Sequence, residues 1–319
     1  MDDPDAPFPP PPGAGPQKAT RPPGTFSAVF RVVFVGPNGI RAGWRLLLFL
    51  GIALIAGTAI GSLVRLAGFR ASGSLGPVMM AIGEGSIFLA FLVAAAVMAR
   101  IEKRSLADYA LPGRGAFGRA FWLGVVWGFA ALTALLLLVW AAHGFTFGQL
   151  ALSGKPLLHY ALAWAAAFLA VGFAEEFSIR GYALYTLSTG MGFWPAAVLL
   201  SALFGALHLH NAGEALVGGL SAGLIGLFFC LTVRRTGTLW FAIGLHAMWD
   251  YAESFLYSVP DSGAMVPGHL LNSSFHGPKW LTGGSVGPEG SALVFVIILA
   301  LFGLFNRLHR EVRFPRSAP

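Results

Sequence analysis

The stretch VGFAEEFSIRGYAL, residues 171–184, places two adjacent carboxylates and an arginine inside an apolar run that extends over about residues 158–187. A helix needs about 20 consecutive apolar residues to cross the hydrocarbon of a bilayer, and this run is long enough. Charged groups are costly in that environment and usually serve a function when a partner is at hand. The stretch therefore predicts a membrane-spanning helix that carries functional polar groups.

The composition also indicates a membrane protein. Of the 319 residues, 56% are hydrophobic and 11% are charged, whereas a soluble domain has about 25% charged residues. The formal net charge is +7, and the basic residues lie between apolar runs, a pattern typical of loops that face anionic lipid headgroups. We therefore expect the lipid bilayer, and no nucleic acid, as a partner. The single cysteine, Cys230, lies in an apolar run and is predicted to be buried; it excludes an intrachain disulfide and a cysteine-based zinc cluster.

Eight apolar runs are candidates for spanning the bilayer. They lie at about residues 44–65, 75–98, 120–142, 158–187, 193–210, 214–233, 238–257 and 291–306. Lysine and arginine concentrate in alternate loops and at both ends of the chain, which is the pattern of cytoplasmic segments. The sequence thus predicts an all-α integral membrane protein, a bundle of about eight transmembrane helices with cytoplasmic N and C termini.

The predicted domain organisation has three parts. Residues 1–40 are expected to form a disordered Pro-rich cytoplasmic tail, residues 41–310 the polytopic domain with its core motifs in 158–257, and residues 311–319 a basic cytoplasmic tail. Short cytoplasmic loops and a high alanine and glycine content favour a bacterial chain. The expected location is the bacterial inner membrane.

Ionisable residues near the span centres are candidates for a functional site. They are Glu84, Glu175, Glu176, Arg180, His208, His210, His246 and Asp250. Glu84 stands alone in its span, and a structural role is the favoured interpretation. The other residues form clusters on the fourth, fifth and seventh spans.

The helical rise brings these clusters to a similar depth. The fourth and fifth spans turn near Met191, and Glu175 and His208 lie almost equally far from that turn along the chain. At about 1.5 Å per residue, the two side chains reach nearly the same depth. The aromatic residues taken to mark the membrane interface are Tyr185, Trp194 and Trp240.

Helical angles separate the two glutamates of the fourth span. Glu176 and Arg180 are four residues apart and can pair, whereas Glu175 points away from Arg180. We therefore expect a structural ion pair between Glu176 and Arg180, with Glu175 facing the other spans.

The same argument applies to the histidines. His208 and His210 point to nearly opposite sides of their helix, so only one of them can face the site, and Asn211 is closer in angle to His208 than His210 is. His246 and Asp250 are four residues apart, so they share a face and can act together.

Two histidines and a carboxylate in a dry cavity suit the hydrolysis of an amide by an activated water. Removal of water from around a carboxylate makes it a stronger base, as a general base requires. A histidine could position the water or protonate the leaving amine. Donors on a third helix could stabilise a tetrahedral oxyanion.

Three short motifs resemble those of a known family, the type II CAAX prenyl endopeptidases and their bacterial relatives (the CAAX protease and bacteriocin-processing family). EEFSIRG is similar to the EExxxR motif, FGALH to FxxxH, and HAMWD to HxxxN or HxxxD. The residues at the motif positions are Glu175, Glu176, Arg180, Phe204, His208, His246 and Asp250. The segment GPKWLTGGSVGPEGS, residues 277–291, also resembles a segment of some bacterial members.

The resemblance implies an eight-helix intramembrane endopeptidase that processes a membrane-associated peptide or protein, which in some members is lipidated. It implies that Glu175 activates the attacking water with help from His208, and that His246 and Asp250 serve the oxyanion site. Asparagine is common at the last motif position, and an ionised aspartate cannot donate a hydrogen bond. Asp250 is therefore either protonated or orients His246.

No cofactor is expected, with zinc as the alternative. Two histidines and a glutamate form a known catalytic zinc set, and members of the family have been called metalloproteases. The sequence contains no HExxH motif, and a glutamate can activate water without a metal. Metal-free hydrolysis is the favoured hypothesis.

Two other interpretations compete with this one. GLSAG, residues 219–223, fits the G-x-S-x-G pattern of serine hydrolases, but that pattern requires a strand–turn–helix context, and small residues at this spacing are typical of packed membrane helices. Ser221 is therefore a weak candidate nucleophile. The chain could also be a non-catalytic membrane protein, either an immunity or chaperone-like factor or a transporter that uses the same polar network.

Overall fold

The computed structural model describes residues 33–36, 39–69, 76–210 and 216–314. The chain divides into two compact units, Met1–Arg41 and Ala42–Pro319. In the first unit, β1 (Val35–Gly36) pairs antiparallel with β2 (Gly39–Ile40). Most of the predicted Pro-rich tail lies outside the described residues.

The second unit is helical, and all its helices except the four-residue α9 coincide with the predicted spans. They are α1 (Ala42–Leu66), α2 (Pro77–Glu102), α3 (Arg119–Ala141), α4 (Gly154–Arg180), α5 (Tyr182–Met191), α6 (Phe193–His208), α7 (Leu216–Thr236), α8 (Trp240–Tyr251), α9 (Lys279–Thr282) and α10 (Leu293–Leu308). Among the described residues, α1, α2, α3, the continuous α4–α5 segment and α7 are long and apolar enough to cross a membrane, whereas α6 and α10 are shorter apolar helices. The chain is an all-α, multi-pass integral membrane protein, as predicted.

A kink and a turn shape the region around the charged stretch. The α4–α5 segment is 38 residues long, and it breaks at Gly181, where a Cβ would lie 2.5 Å from the carbonyl oxygen of Phe177. The chain then turns at Met191 and Gly192, the position predicted from the sequence, and Gly192 has a φ of 85°. The kink at Gly181 and the turn at Gly192 bring α6 back alongside α4 and α5.

Helix α8 ends in a π-helical turn. This turn covers Ala252–Leu256, and the Tyr257 amide donates to the Ala252 carbonyl at 2.8 Å. Together the two segments cover the predicted seventh span. π-Helical turns are rare and are frequent at functional sites.

Glycines allow α3 and α8 to pack closely. A Cβ at Gly128 would lie 2.3 Å from the Leu245 carbonyl oxygen, and one at Gly244 would lie 2.2 Å from the Phe121 carbonyl oxygen. Small residues permit this close approach of membrane helices. The contact fixes the backbone of α8 immediately beside His246.

The substitution Gly128→Ala is expected to lower the free energy of unfolding by about 1–3 kcal/mol, because the added methyl group overpacks a closed interface. Thermal unfolding of the purified chain in detergent measures the change. Gly51→Ala is the matched control, since its Cβ would meet nothing within 4 Å on α1, and its melting temperature should stay equal or rise. Equal melting temperatures for the Gly128→Ala variant and the parent would contradict the close packing.

Contacts between loops agree with the prediction that successive loops alternate between the two sides of the membrane. The short strands β3 (Phe145–Thr146) and β4 (Ser274–Phe275) pair antiparallel and bring the α3–α4 loop to the long loop after α8. At the other end of the bundle, the Leu239 amide donates to the Ala110 carbonyl at 2.8 Å. Loops that eight alternating spans place on one side of the bundle are therefore in contact.

One expectation about the bundle ends is wrong. Tyr185 and Trp240 are buried in protein rather than exposed at a lipid interface, and only Trp194 of the three markers is exposed. Of the predicted basic tail, residues 311–314 are described, and Phe314 is buried against Tyr185 and Phe193. Residues 315–319 lie outside the described part of the chain.

Candidate active site

A cavity of about 410 Å³ lies between the helices and brings the polar clusters together. Residues from α4, α6 and α8 line it, and they include Glu175, His208, His246 and Asp250. Glu84 of α2 also lies on its wall, although its sequence context favoured a purely structural role. His210 is exposed and does not line the cavity, and Asn211 lies outside the described residues.

The predicted ion pair on α4 is formed. The Nη1 atom of Arg180 donates to Glu176 Oε1 at 3.1 Å, and both side chains are completely buried. The guanidinium carbon lies 4.1 Å from the centre of the Phe204 ring and 5.6 Å from that of Phe229, a cation–π arrangement. The arginine thus neutralises one of the two glutamates inside the bundle.

Glu176 also holds the histidine of α8. His246 Nδ1 donates to Glu176 Oε1 at 2.9 Å, and the imidazole stacks on Phe229 with 5.4 Å between ring centres. The carboxylate therefore bridges Arg180 and His246. The sequence predicts only the pair with Arg180, because helical angles describe neighbours on one helix and not those on another.

The free nitrogen of His246 faces two more carboxylates. Its Nε2 lies 3.7 Å from Glu175 Oε2 and 3.5 Å from Asp250 Oδ2. These distances are longer than a good hydrogen bond. Glu175, His246 and Asp250 surround one point on the cavity wall.

The tautomer of neutral His208 follows from its hydrogen bond. Nδ1 lies 2.9 Å from the Phe204 carbonyl oxygen, and a carbonyl only accepts hydrogen bonds, so Nδ1 carries the proton. Nε2 of the neutral ring is then an acceptor. His208 can receive a hydrogen bond or a proton from a molecule in the cavity.

Glu175 has a free oxygen. Its side chain is 33% exposed, and its Oε2 is buried without a hydrogen-bond partner among the described residues. Buried carboxylate oxygens are normally hydrogen-bonded. The unpartnered oxygen is therefore a candidate for binding a water or a substrate.

A known protein family matches this part of the chain. Residues 157–252 match the family model described as type II CAAX prenyl endopeptidase Rce1-like. The chain carries an Rce1-like domain. The match spans α4 to α8 and contains all three motifs, so the family resemblance is confirmed. No curated protein and no solved structure matches the chain.

Beyond the Rce1-like domain, the loop over residues 257–292 supplies acidic groups to the same cavity, and the sequence does not predict this contribution. Asp261 Oδ2 accepts from Ser254 Oγ at 2.9 Å, and Glu289 Oε2 accepts from Ser262 Oγ at 2.8 Å. Burial, followed by the negative charge of Glu289, raises the pKa of Asp261 to about 8. The sequence signal that could have identified these residues is the presence of two acids in a loop rich in glycine and proline.

The geometry does not favour a serine nucleophile in the Rce1-like domain. Ser221 lines the cavity, but its hydroxyl lies 2.8 Å from the carbonyl oxygens of Gly218 and Glu289. Its hydrogen-bond partners in the described chain are therefore backbone carbonyls. A nucleophilic serine requires a base at this position.

Cys230 is buried, as predicted, in the apolar interior. Its thiol lies 3.8 Å from Ser201 Oγ. The residue acts as a small core side chain of α7.

Proposed function

We propose that the chain is an intramembrane endopeptidase in which Glu175 activates the water that hydrolyses a peptide bond. The Rce1-like family is a protease family, and the match supports a CAAX-type protease at family level. The observation that carries the finer proposal is the unpartnered Glu175 Oε2 in a cavity that also contains the acceptor nitrogen of His208.

In the proposed reaction, a water binds between Glu175 and His208. Glu175 removes one proton as the water oxygen attacks the peptide carbonyl carbon, which forms a tetrahedral intermediate. The carbon–nitrogen bond then breaks, and the leaving nitrogen takes the proton from Glu175. The products are a carboxylic acid and an amine, and the glutamate returns to its ionised form.

His246 in its doubly protonated form, in which both ring nitrogens donate, is the proposed donor to the oxyanion. Its Nδ1 is held by Glu176 at 2.9 Å, which leaves Nε2 directed toward Glu175 and Asp250. The contact between Asp250 and this nitrogen supports the orienting role for Asp250 over the role of a direct donor. Glu176 and Arg180 are proposed to position His246 without contacting the substrate.

We propose that the reaction needs no metal. In the part of the chain that the structure describes, Glu175, His208 and His246 do not bring three ligand atoms within 4.8 Å of one another, whereas Glu253, Asp261 and Glu289 do. The first set lacks the convergence that a catalytic zinc site requires.

Removal of zinc is expected to leave the cleavage rate unchanged. The test adds a zinc-selective chelator to the purified chain in the presence of excess Ca²⁺ and Mg²⁺, so that any site for hard cations stays filled. Complete inhibition that added zinc reverses would overturn the metal-free proposal.

The proposed substrate is a membrane-associated peptide or protein, with the bacterial inner membrane as the proposed location. Apolar side chains also line the cavity, among them Met80, Phe168 and Ile225, which supports the binding of an apolar or lipidated substrate. We propose no role for nucleic acid.

Cleavage by the purified full-length chain in lipid vesicles tests this function. Two peptides of the same sequence ending in a CAAX motif, one farnesylated and one not, are incubated with the chain, and the products are identified by mass spectrometry. Cleavage of either peptide is the expected result, and the comparison defines the role of the lipid. A folded chain that cleaves neither these peptides nor membrane proteins of the cells that produce it would favour the non-catalytic or transporter interpretation.

A further inference from the structure

We propose that Glu253, Asp261 and Glu289 bind a hard divalent cation, Ca²⁺ or Mg²⁺, that fastens the loop after α8 to the helical bundle. Each residue offers one carboxylate oxygen, and these oxygens lie within 4.8 Å of one another. The three ligands do not include Glu175 or His208, and the inference does not depend on the proposed peptidase activity.

Glu253 provides the observation that points to a ligand. Its side chain is completely buried, and neither Oε1 nor Oε2 has a hydrogen-bond partner among residues that the structure describes. The indole N–H of Trp249 is close to it but makes no hydrogen bond in that set. A buried carboxylate without a partner is strongly unfavourable in its ionised form, and a cation bound to the carboxylate would stabilise that form.

The other two carboxylates are oriented by serines and have no lysine or arginine partner among the described residues. Ser254 binds Asp261, and Ser262 binds Glu289 through both its hydroxyl and its amide. Within the described ranges, no lysine or arginine forms an ion pair with any of the three acids. In their ionised forms, the three carboxylates would repel one another strongly in a buried site, and a bound divalent cation would offset that repulsion.

The ligand chemistry selects the class of cation. Three carboxylates and no sulfur or imidazole ligand suit Ca²⁺ and Mg²⁺ rather than softer metals. The Cβ position at Gly287 lies 1.9 Å from the Pro260 carbonyl oxygen and 3.2 Å from Glu253 Oε1. The Pro260 carbonyl oxygen is therefore near Glu253, and the absence of a side chain at Gly287 permits this close approach.

The positions of the three residues indicate that a bound cation would link two separate parts of the fold. Glu253 lies on the π-helical turn, Asp261 follows in the loop, and Glu289 lies in the short turn of Pro288–Gly290 that precedes α10. One cation would thus join the end of α8 to the start of α10. Because Asp261 and Glu289 also line the cavity, the bound cation would fix one wall of it.

Thermal unfolding of the full-length chain in detergent, after treatment with a chelator, tests the site. Separate titrations with CaCl₂ and MgCl₂ are expected to raise the melting temperature in a saturable manner, because a ligand that binds the folded state stabilises it. Asp261→Asn and Glu289→Gln should weaken the apparent affinity by more than about tenfold, the range seen when even an outer-shell partner of a metal ligand is lost. Glu311→Gln, an exposed residue outside the cluster, should respond as the parent does.

Several results would overturn the proposal. A parent melting temperature unaffected by either cation would do so, as would an equal response of the parent and the Asp261→Asn and Glu289→Gln variants. Stabilisation by zinc alone would contradict the assignment to a hard cation. Since these variants retain Glu253, they remain informative if Glu253→Gln fails to fold, and the readout is independent of peptide cleavage.

Discussion

Glu175→Gln is expected to reduce the rate of peptide cleavage by about 100- to 10,000-fold, the range that general acid–base catalysis contributes. The amide has almost the same volume as the carboxylate but cannot accept the proton of the attacking water. Because Glu175 Oε2 has no hydrogen-bond partner among the described side chains and backbone groups, the substitution should not destabilise the fold. Single-turnover cleavage by the purified chain measures the rate, and thermal unfolding measures stability.

A control variant distinguishes the loss of the Glu175 carboxylate in the cavity from the general loss of one negative charge. Glu311→Gln makes the same chemical change at a side chain that is 73% exposed, and it should cleave at the parent rate. A Glu175→Gln protein that cleaves as fast as the parent would remove Glu175 from the mechanism.

His208→Asn is expected to slow cleavage by a similar factor of about 100 to 10,000. The asparagine side chain is shorter than histidine and lacks the basic Nε2, which the hydrogen bond from Nδ1 to Phe204 leaves available as an acceptor in the parent. The loss should appear in the single-turnover rate, with a smaller change in substrate affinity.

His210→Asn is the control for this substitution. It lies two residues away, is exposed, and does not line the cavity, so its rate should match that of the parent. Equal losses in the two variants would indicate a general disturbance of the end of α6 rather than a role for His208 in the reaction.

The fold could be predicted from the sequence because lipid requires every spanning segment to satisfy its own backbone hydrogen bonds. Apolar runs therefore had to be helices, and the helices of the structure coincide with them. The pairing of Glu176 with Arg180 was also predictable, since both residues lie on one helix and i, i+4 geometry fixes their separation.

Contacts between helices were less accessible to sequence reasoning. The bond between His246 and Glu176 depends on how α8 is rotated against α4, which the glycines of the α3–α8 interface set. Tyr185 and Trp240 were mistaken for interface markers because an aromatic side chain at a span end has the same local sequence whether lipid or protein covers it.

The long loop after α8 was the least predictable part of the site. The loop is rich in glycine, proline and serine, a composition that gives no signal of burial, yet Asp261 and Glu289 reach the cavity. The loop is fixed by non-local contacts, such as the bond from the Gly263 amide to the Val286 carbonyl at 2.9 Å. The π-helical turn that carries Glu253 has no sequence pattern of its own and was likewise not foreseen.

The double variant Glu175→Gln/His208→Asn provides the most direct test that the two side chains act on one water. Residues that act as a unit have non-additive effects on the rate. Single-turnover cleavage by the purified parent, both single variants and the double variant is therefore compared. The double variant should be about as slow as the slower single variant. A double variant whose loss equals the product of the two single losses would show that Glu175 and His208 act independently, and would contradict a shared activated water.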